Sequence, residues 1–72
     1  MSKLSYLPIG QEAFLADFES TPLSRRLLTM GVLPGQSIKV LRKQPFGGSL
    51  YVKIEDRHFA IRESEALQIM TL

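Results

Sequence analysis

Turn residues cut this chain so often that no long element fits between them. Leu7-Pro8-Ile9-Gly10, Ser20-Thr21-Pro22, Gly31 with Pro34-Gly35, Pro45-Phe46-Gly47-Gly48-Ser49 and Glu55-Asp56-Arg57-His58 follow one another along 72 residues. Proline fixes φ and glycine accepts φ > 0, so each cluster stops one element and redirects the chain. The segments between them alternate apolar and polar residues with period two, the strand signature. Leu50, Val52 and Ile54 against Tyr51, Lys53 and Glu55 are the clearest case, and Ile38 with Val40 and Phe59 with Ile61 repeat it. In the first strand, Phe14, Ala16 and Phe18 are expected to face the core, with Ala13, Leu15 and Asp17 outside. Leu67, Ile69 and Thr71 are expected to form the last strand.

One segment breaks the pattern. Thr21 reads as an N-cap and Pro22 as the first helical residue, where a missing N–H costs nothing. Leu23, Leu27 and Met30 then recur on one helical face, and Gly31 suits the left-handed position that ends a helix. A helix over Pro22–Met30 is expected, too short to stand alone and therefore held by packing. In Leu33-Pro34-Gly35-Gln36 the central Pro-Gly predicts a type II turn. Glu63-Ser64-Glu65-Ala66 reads as one further helical turn. The expected core is Phe14, Ala16, Phe18, Leu23, Ile38, Val40, Leu50, Val52, Ile54, Phe59, Ile61, Leu67 and Ile69, with structure opening at Leu7. Short strands at this spacing in so small a chain imply a closed or nearly closed sheet, because an open one would leave two long edges. The expected fold is mainly β: a small barrel of about five strands with one short helix after the first, as one domain over residues 1–72.

The chemistry is sparse. Without cysteine, disulfides and thiolate metal sites are excluded, and a reducing compartment is the expectation. No apolar run approaches the roughly 20 residues that span a bilayer. No apolar leader follows Met1-Ser2-Lys3-Leu4, and a cytoplasmic protein is expected. His58, the single histidine, lies by Arg57 in a polar turn and reads as a surface residue. Glu63 and Glu65 read as a solvated turn rather than an acid–base pair. Glu55, Asp56, Glu63 and Glu65 could offer oxygens to a cation, but Lys53, Arg57 and Arg62 lie among them. No catalytic residue, metal site or cofactor is expected. Gly47-Gly48 lacks the spacing of a phosphate-binding loop. Net charge is only +2 and there is no tryptophan. Lys39 and Lys43 are expected on one strand face near Lys53, with Tyr51 the one aromatic among them, so nucleic acid is not the expected partner. The apolar surplus says more: Leu27 and Leu28 point about 100° apart on a helix and cannot both enter one narrow stripe.

The run Arg25-Arg26-Leu27-Leu28-Thr29-Met30-Gly31-Val32-Leu33-Pro34-Gly35, leading into the strand Ser37-Ile38-Lys39-Val40-Leu41, resembles the core motif of the FeoA family. Leu7-Pro8-Ile9-Gly10 is similar to the family's opening Leu-x-x-Gly. Phe59 to Ile69 is similar to its closing strand, acidic turn and final strand. The likeness runs over residues 6–71. One loop departs: Pro45-Phe46-Gly47-Gly48-Ser49 stands where the family commonly has Pro-x-Gly-Asp-Pro. The resemblance implies an SH3-like barrel and a non-enzymatic accessory of FeoB, a membrane ferrous iron transporter with a cytoplasmic G domain. It would lie at the inner membrane through FeoB rather than by direct insertion, with self-association open. The same domain type ends iron-dependent repressors, so a nucleic-acid-binding or repressor-type module is the alternative. On this reading Leu27 is the main partner contact, with Leu28, Met30 and Leu33 as neighbours; the alternative, of equal weight, is that Leu27 is the helix's core anchor.

Overall fold

In the computed structural model, all 72 residues are described. The elements in chain order are β1 (Ser2–Lys3), a 3₁₀ turn (Leu4–Tyr6), β2 (Glu12–Phe14), α1 (Pro22–Thr29), β3 (Ser37–Lys43), β4 (Ser49–Ile54), β5 (Arg57–Arg62), α2 (Glu63–Ala66) and β6 (Met70–Thr71). No helix is long and apolar enough to cross a membrane.

Strands β2-β3-β4-β5 form an antiparallel meander, and β1 pairs with β6 as a second, two-stranded sheet. The two are stitched where the chain runs on past β2. Leu72 N–H donates to the Phe14 carbonyl, Ala16 N–H to the Met70 carbonyl, and Leu15 forms a bridge with Thr71. β6 therefore lies between β1 and the continuation of β2, which wraps the sheet around one core. α2 packs against β4, β5 and the 3₁₀ turn, covering the side the strands leave open. The sequence expected five strands. The sixth is β1, and structure begins at Ser2 rather than Leu7, with Leu4 fully buried and its N–H donated to the Ile69 carbonyl.

Ile38, Val40, Leu50, Val52, Ile54, Ile61 and Ile69 are buried as their alternation predicts, and Phe18, Leu23 and Phe59 pack partly buried against them. The first strand is the reverse of expectation. Phe14 is 48% exposed, while Ala13 and Leu15 are buried. Period two defines two faces without saying which is inside; register decides. Ala13 lies opposite Ile38 and Phe14 opposite Ser37. Residues directly across a ladder share a face, so the buried Ile38 takes Ala13 inward with it. Ala16 is buried nonetheless, because the chain leaves the strand after Leu15 and the alternation ends. Leu67 is also corrected: it caps the C-terminus of α2, stays exposed, and the last strand starts only at Met70.

Candidate functional site

The segment with the partner-binding expectation is the most tightly specified in the chain. At the start of α1 the Thr21 hydroxyl accepts from the Ser24 N–H at 3.1 Å, and the Ser24 hydroxyl oxygen accepts from the Thr21 N–H at 2.9 Å. This reciprocal capping satisfies two donors that a helix start leaves orphaned. At the other end, Val32 N–H reaches back to the Leu27 carbonyl and Gly31 N–H to the Leu28 carbonyl. That pair of bonds is a Schellman closure, and it brings the residue after the glycine against the residue three before the cap. Here those two are Val32 and Leu27, and both are buried. Gly31 takes φ of 82°, the left-handed conformation the closure needs. The Arg57 guanidinium donates to the Met30 carbonyl and crosses the space beside Gly31, placing a cation on the helix C-terminus. The expected type II turn follows, with Gly35 at φ 86° and its N–H donated to the Leu15 carbonyl at 2.7 Å.

This geometry divides the four expected contact residues. Leu27 is only 3% exposed and belongs to the core. Its assignment as the main contact is corrected, because the closure that ends the helix buries it against Val32. Leu28, Met30 and Leu33 stay exposed, at 45%, 39% and 48%. All three lie at the C-terminus of α1 or in the turn after it. On the Leu23 side of α1 lies a cleft of about 250 Å³ between the helix and the segment before β6, walled by Phe18, Leu23, Leu67 and Ile69 with Asp17 and Glu19 beside them. Sequence reasoning missed the cleft, since it joins residues some fifty apart that only the closure of β6 brings together.

Charge is arranged differently from expectation. A bulge between Val40 and Arg42 shifts the register of β3, so Arg42 pairs with Tyr51 and Lys43 with the buried Leu50. Lys39 and Lys43 therefore do not share a face. Lys43 turns toward the 3₁₀ segment and donates its Nζ to the Ser5 carbonyl at 3.1 Å. Arg42 takes the outer face, its guanidinium 4.6 Å from the centre of the Tyr51 ring. Lys39, Lys53 and His58 lie opposite one another across three strands of that face. Arg26 on α1 pairs with Glu65 on α2, the one salt bridge in the molecule. The Arg26 hydrogen bond, helped by the Arg62 N–H and the charge of both arginines, holds the Glu65 carboxyl below the usual carboxylate range against a smaller opposing effect of burial. No three of His, Cys, Asp and Glu come together in a group able to hold a metal ion.

Comparison with known proteins agrees with this architecture. The fold matches a zinc-complexed FeoA from Stenotrophomonas maltophilia, described as an SH3 domain protein and suggested as a ferrous iron transport activating factor. That match has 28% identity and a TM-score of 0.79, covering 100% of this chain and 91% of that one. A FeoA protein from Chlorobium tepidum matches at 33% identity and a TM-score of 0.83, covering 96% of this chain and 67% of that one. A manganese-dependent transcriptional repressor shares the fold at 19% identity and a TM-score of 0.84, over 97% of this chain and 40% of that one. A search of curated proteins gives no match. The family model for the FeoA domain spans residues 2–71, from β1 through β6, so the barrel, its capped helix and its two-stranded closure are together those of a member of the FeoA family.

Proposed function

We propose that this chain is a non-enzymatic accessory that supports ferrous iron uptake by docking on the cytoplasmic region of the FeoB transporter. Membership of the FeoA family implies a role in ferrous iron transport. The docking surface rests on one observation: Leu28, Met30 and Leu33 are exposed together at a helix end that a Schellman closure and Arg57 hold in place. Apolar groups presented on a rigid element lose little freedom on binding, so more of their burial appears as affinity. Iron is cargo in this reading, handled by the transporter.

The test is capture of the chain by the isolated FeoB cytoplasmic region, with and without guanine nucleotide. The double variant Leu28→Gln, Leu33→Gln should stay close to the parental melting temperature, because neither side chain belongs to the core, and should lose capture. A folded double variant that is captured as well as the parent would refute the surface.

The row Lys39, Lys53 and His58 favours a second reading, a nucleic-acid-binding module. Of the aromatics on that face, Tyr51 already carries the Arg42 guanidinium over its ring and Phe14 stands apart on β2, and the acidic Glu12 lies opposite Lys39, which leaves little platform for base stacking. A salt titration separates the two readings: phosphate contacts weaken steeply with log salt and apolar docking does not.

A further inference from the structure

The least comfortable residue in the molecule is Phe46. It sits at the tip of the β3–β4 hairpin, fully exposed, with φ of 59°. Left-handed backbone is uncommon for any residue with a side chain and unusual for a bulky one. Gly47 follows at φ 72°, so the two together reverse the chain. The strain does not release by folding the ring back, because the underside of the loop is occupied. The Gln44 side chain lies there: its Oε1 accepts from the Ser49 N–H at 3.2 Å and its Nε2 donates to the Tyr51 hydroxyl at 3.2 Å. It passes so close to Gly48 that a Cβ there would meet it at 2.7 Å. On the far side the Gly48 carbonyl accepts from the Glu63 N–H. The ring is held out in water by a loop fixed from below and from the side.

The surroundings of this knob indicate its occupant. No charged residue occurs between Lys43 and Lys53, so the tip is neutral. At its base stand Arg42 in the hairpin stem and Arg62 opposite Ser49, on one face, while Lys43 is turned to the Ser5 carbonyl; the nearby acids are Glu63 and Glu65, and Glu65 is already paired with Arg26. Tyr6, also exposed, follows directly after the Ser5 carbonyl that Lys43 grips. A protein hot spot needs a rim that keeps water from its anchor, and Phe46 has only Gln44, Pro45, Gly47 and Gly48 around it. A bilayer surrounds a lone ring with apolar solvent at no such requirement, and an anionic one attracts the cations behind it. We infer that the β3–β4 hairpin tip is a lipid-surface contact, with Phe46 entering the headgroup–acyl boundary of an anionic bilayer and Arg42 and Arg62 facing the headgroups. One ring and two cations give weak, reversible binding rather than anchoring. This is a contact by a loop tip, distinct from the insertion of a segment that the sequence argues against, and it does not depend on FeoB.

The chain has no tryptophan, so Phe46→Trp installs a single fluorescent reporter at the tip. The probes are vesicles of phosphatidylcholine, and of phosphatidylcholine with about one-third phosphatidylglycerol to supply negative surface charge. On the anionic vesicles the emission should move to the blue and be quenched by brominated acyl chains; on the neutral vesicles it should change little. Phe46→Gly relieves the left-handed strain, so it should melt no lower than the parent while partitioning onto anionic vesicles at least about tenfold more weakly. Capture of Phe46→Gly by the FeoB cytoplasmic region should be unchanged, which keeps this test separate from that of the docking edge. The inference is overturned if the parent does not partition, if Phe46→Gly partitions like the parent, or if the tryptophan emission stays water-like. Loss of FeoB capture by Phe46→Gly without vesicle binding would assign the ring to a protein pocket and overturn it equally.

Discussion

Leu27 and Leu28 are adjacent in sequence and opposite in role. Leu27 is pressed against Val32 by the bonds that end the helix, and Leu28 points about 100° away into solvent. Leu27→Ala should therefore cost about 2–4 kcal/mol of stability, the range for truncating a buried leucine. Leu28→Ala should change the unfolding midpoint by less than about 0.5 kcal/mol, as exposed substitutions do. Urea denaturation of the two variants checks both values, and equal losses would show that Leu28 also packs inward. The same contrast holds at Phe14 and Ala13, where the smaller residue is the buried one.

At the scale of elements, α1 and α2 are each too short to persist alone. α1 is held by its caps, by Leu27, and by Arg57 reaching from the start of β5. The Arg26–Glu65 pair adds a link between the two helices across 39 positions of sequence. Arg26 is more than half exposed, so the link contributes less than about 1 kcal/mol. Its pH dependence has a definite sign. The folded-state carboxyl of Glu65 titrates below its unfolded value, so its contribution is complete above the unfolded pKa and is lost as pH falls through the folded one. Glu65→Gln should accordingly lower the melting temperature slightly at neutral pH and flatten the acid side of the stability curve. Melting curves between neutral pH and the acid limit decide it; a variant with the parent's acid slope would remove Glu65 from the account.

For the whole molecule, closure depends on the two ends of the chain. β1 and β6 pair across nearly the full sequence, Ser2 opposite Thr71 and Lys3 opposite Met70. Leu4, just inside that pair, is among the most completely buried side chains. Deleting residues 1–4 should remove that packing and expose one edge of β6. The expected outcome is a loss of at least about 3 kcal/mol, from the buried leucine and the ladder together. Chemical denaturation against the full chain measures it, and an unchanged midpoint would mean that the meander and β6 hold the core unaided. Such pairing of distant segments is the slow part of folding a small barrel, since the loop must close before its contacts form.

What is local was legible in the amino acids alone. Thr21, Pro22 and Gly31 set the limits of α1, Pro34-Gly35 set the turn, and alternation in Leu50–Ile54 set the inner face of β4, because each depends on a few adjacent backbone angles or on period two. The resemblance carried by Arg25–Gly35 named the fold. Only the tertiary structure decided the orientation of β2, the shift of Lys43 off the basic face, the burial of Leu27 and the entry of Ser2–Lys3 into the barrel. Each of these depends on a partner far along the chain: Ile38 for Ala13, a bulge measured against β4, Val32 brought back by a closure, β6 for β1. A strand carries two faces in its sequence, and which one is buried belongs to the strand across from it.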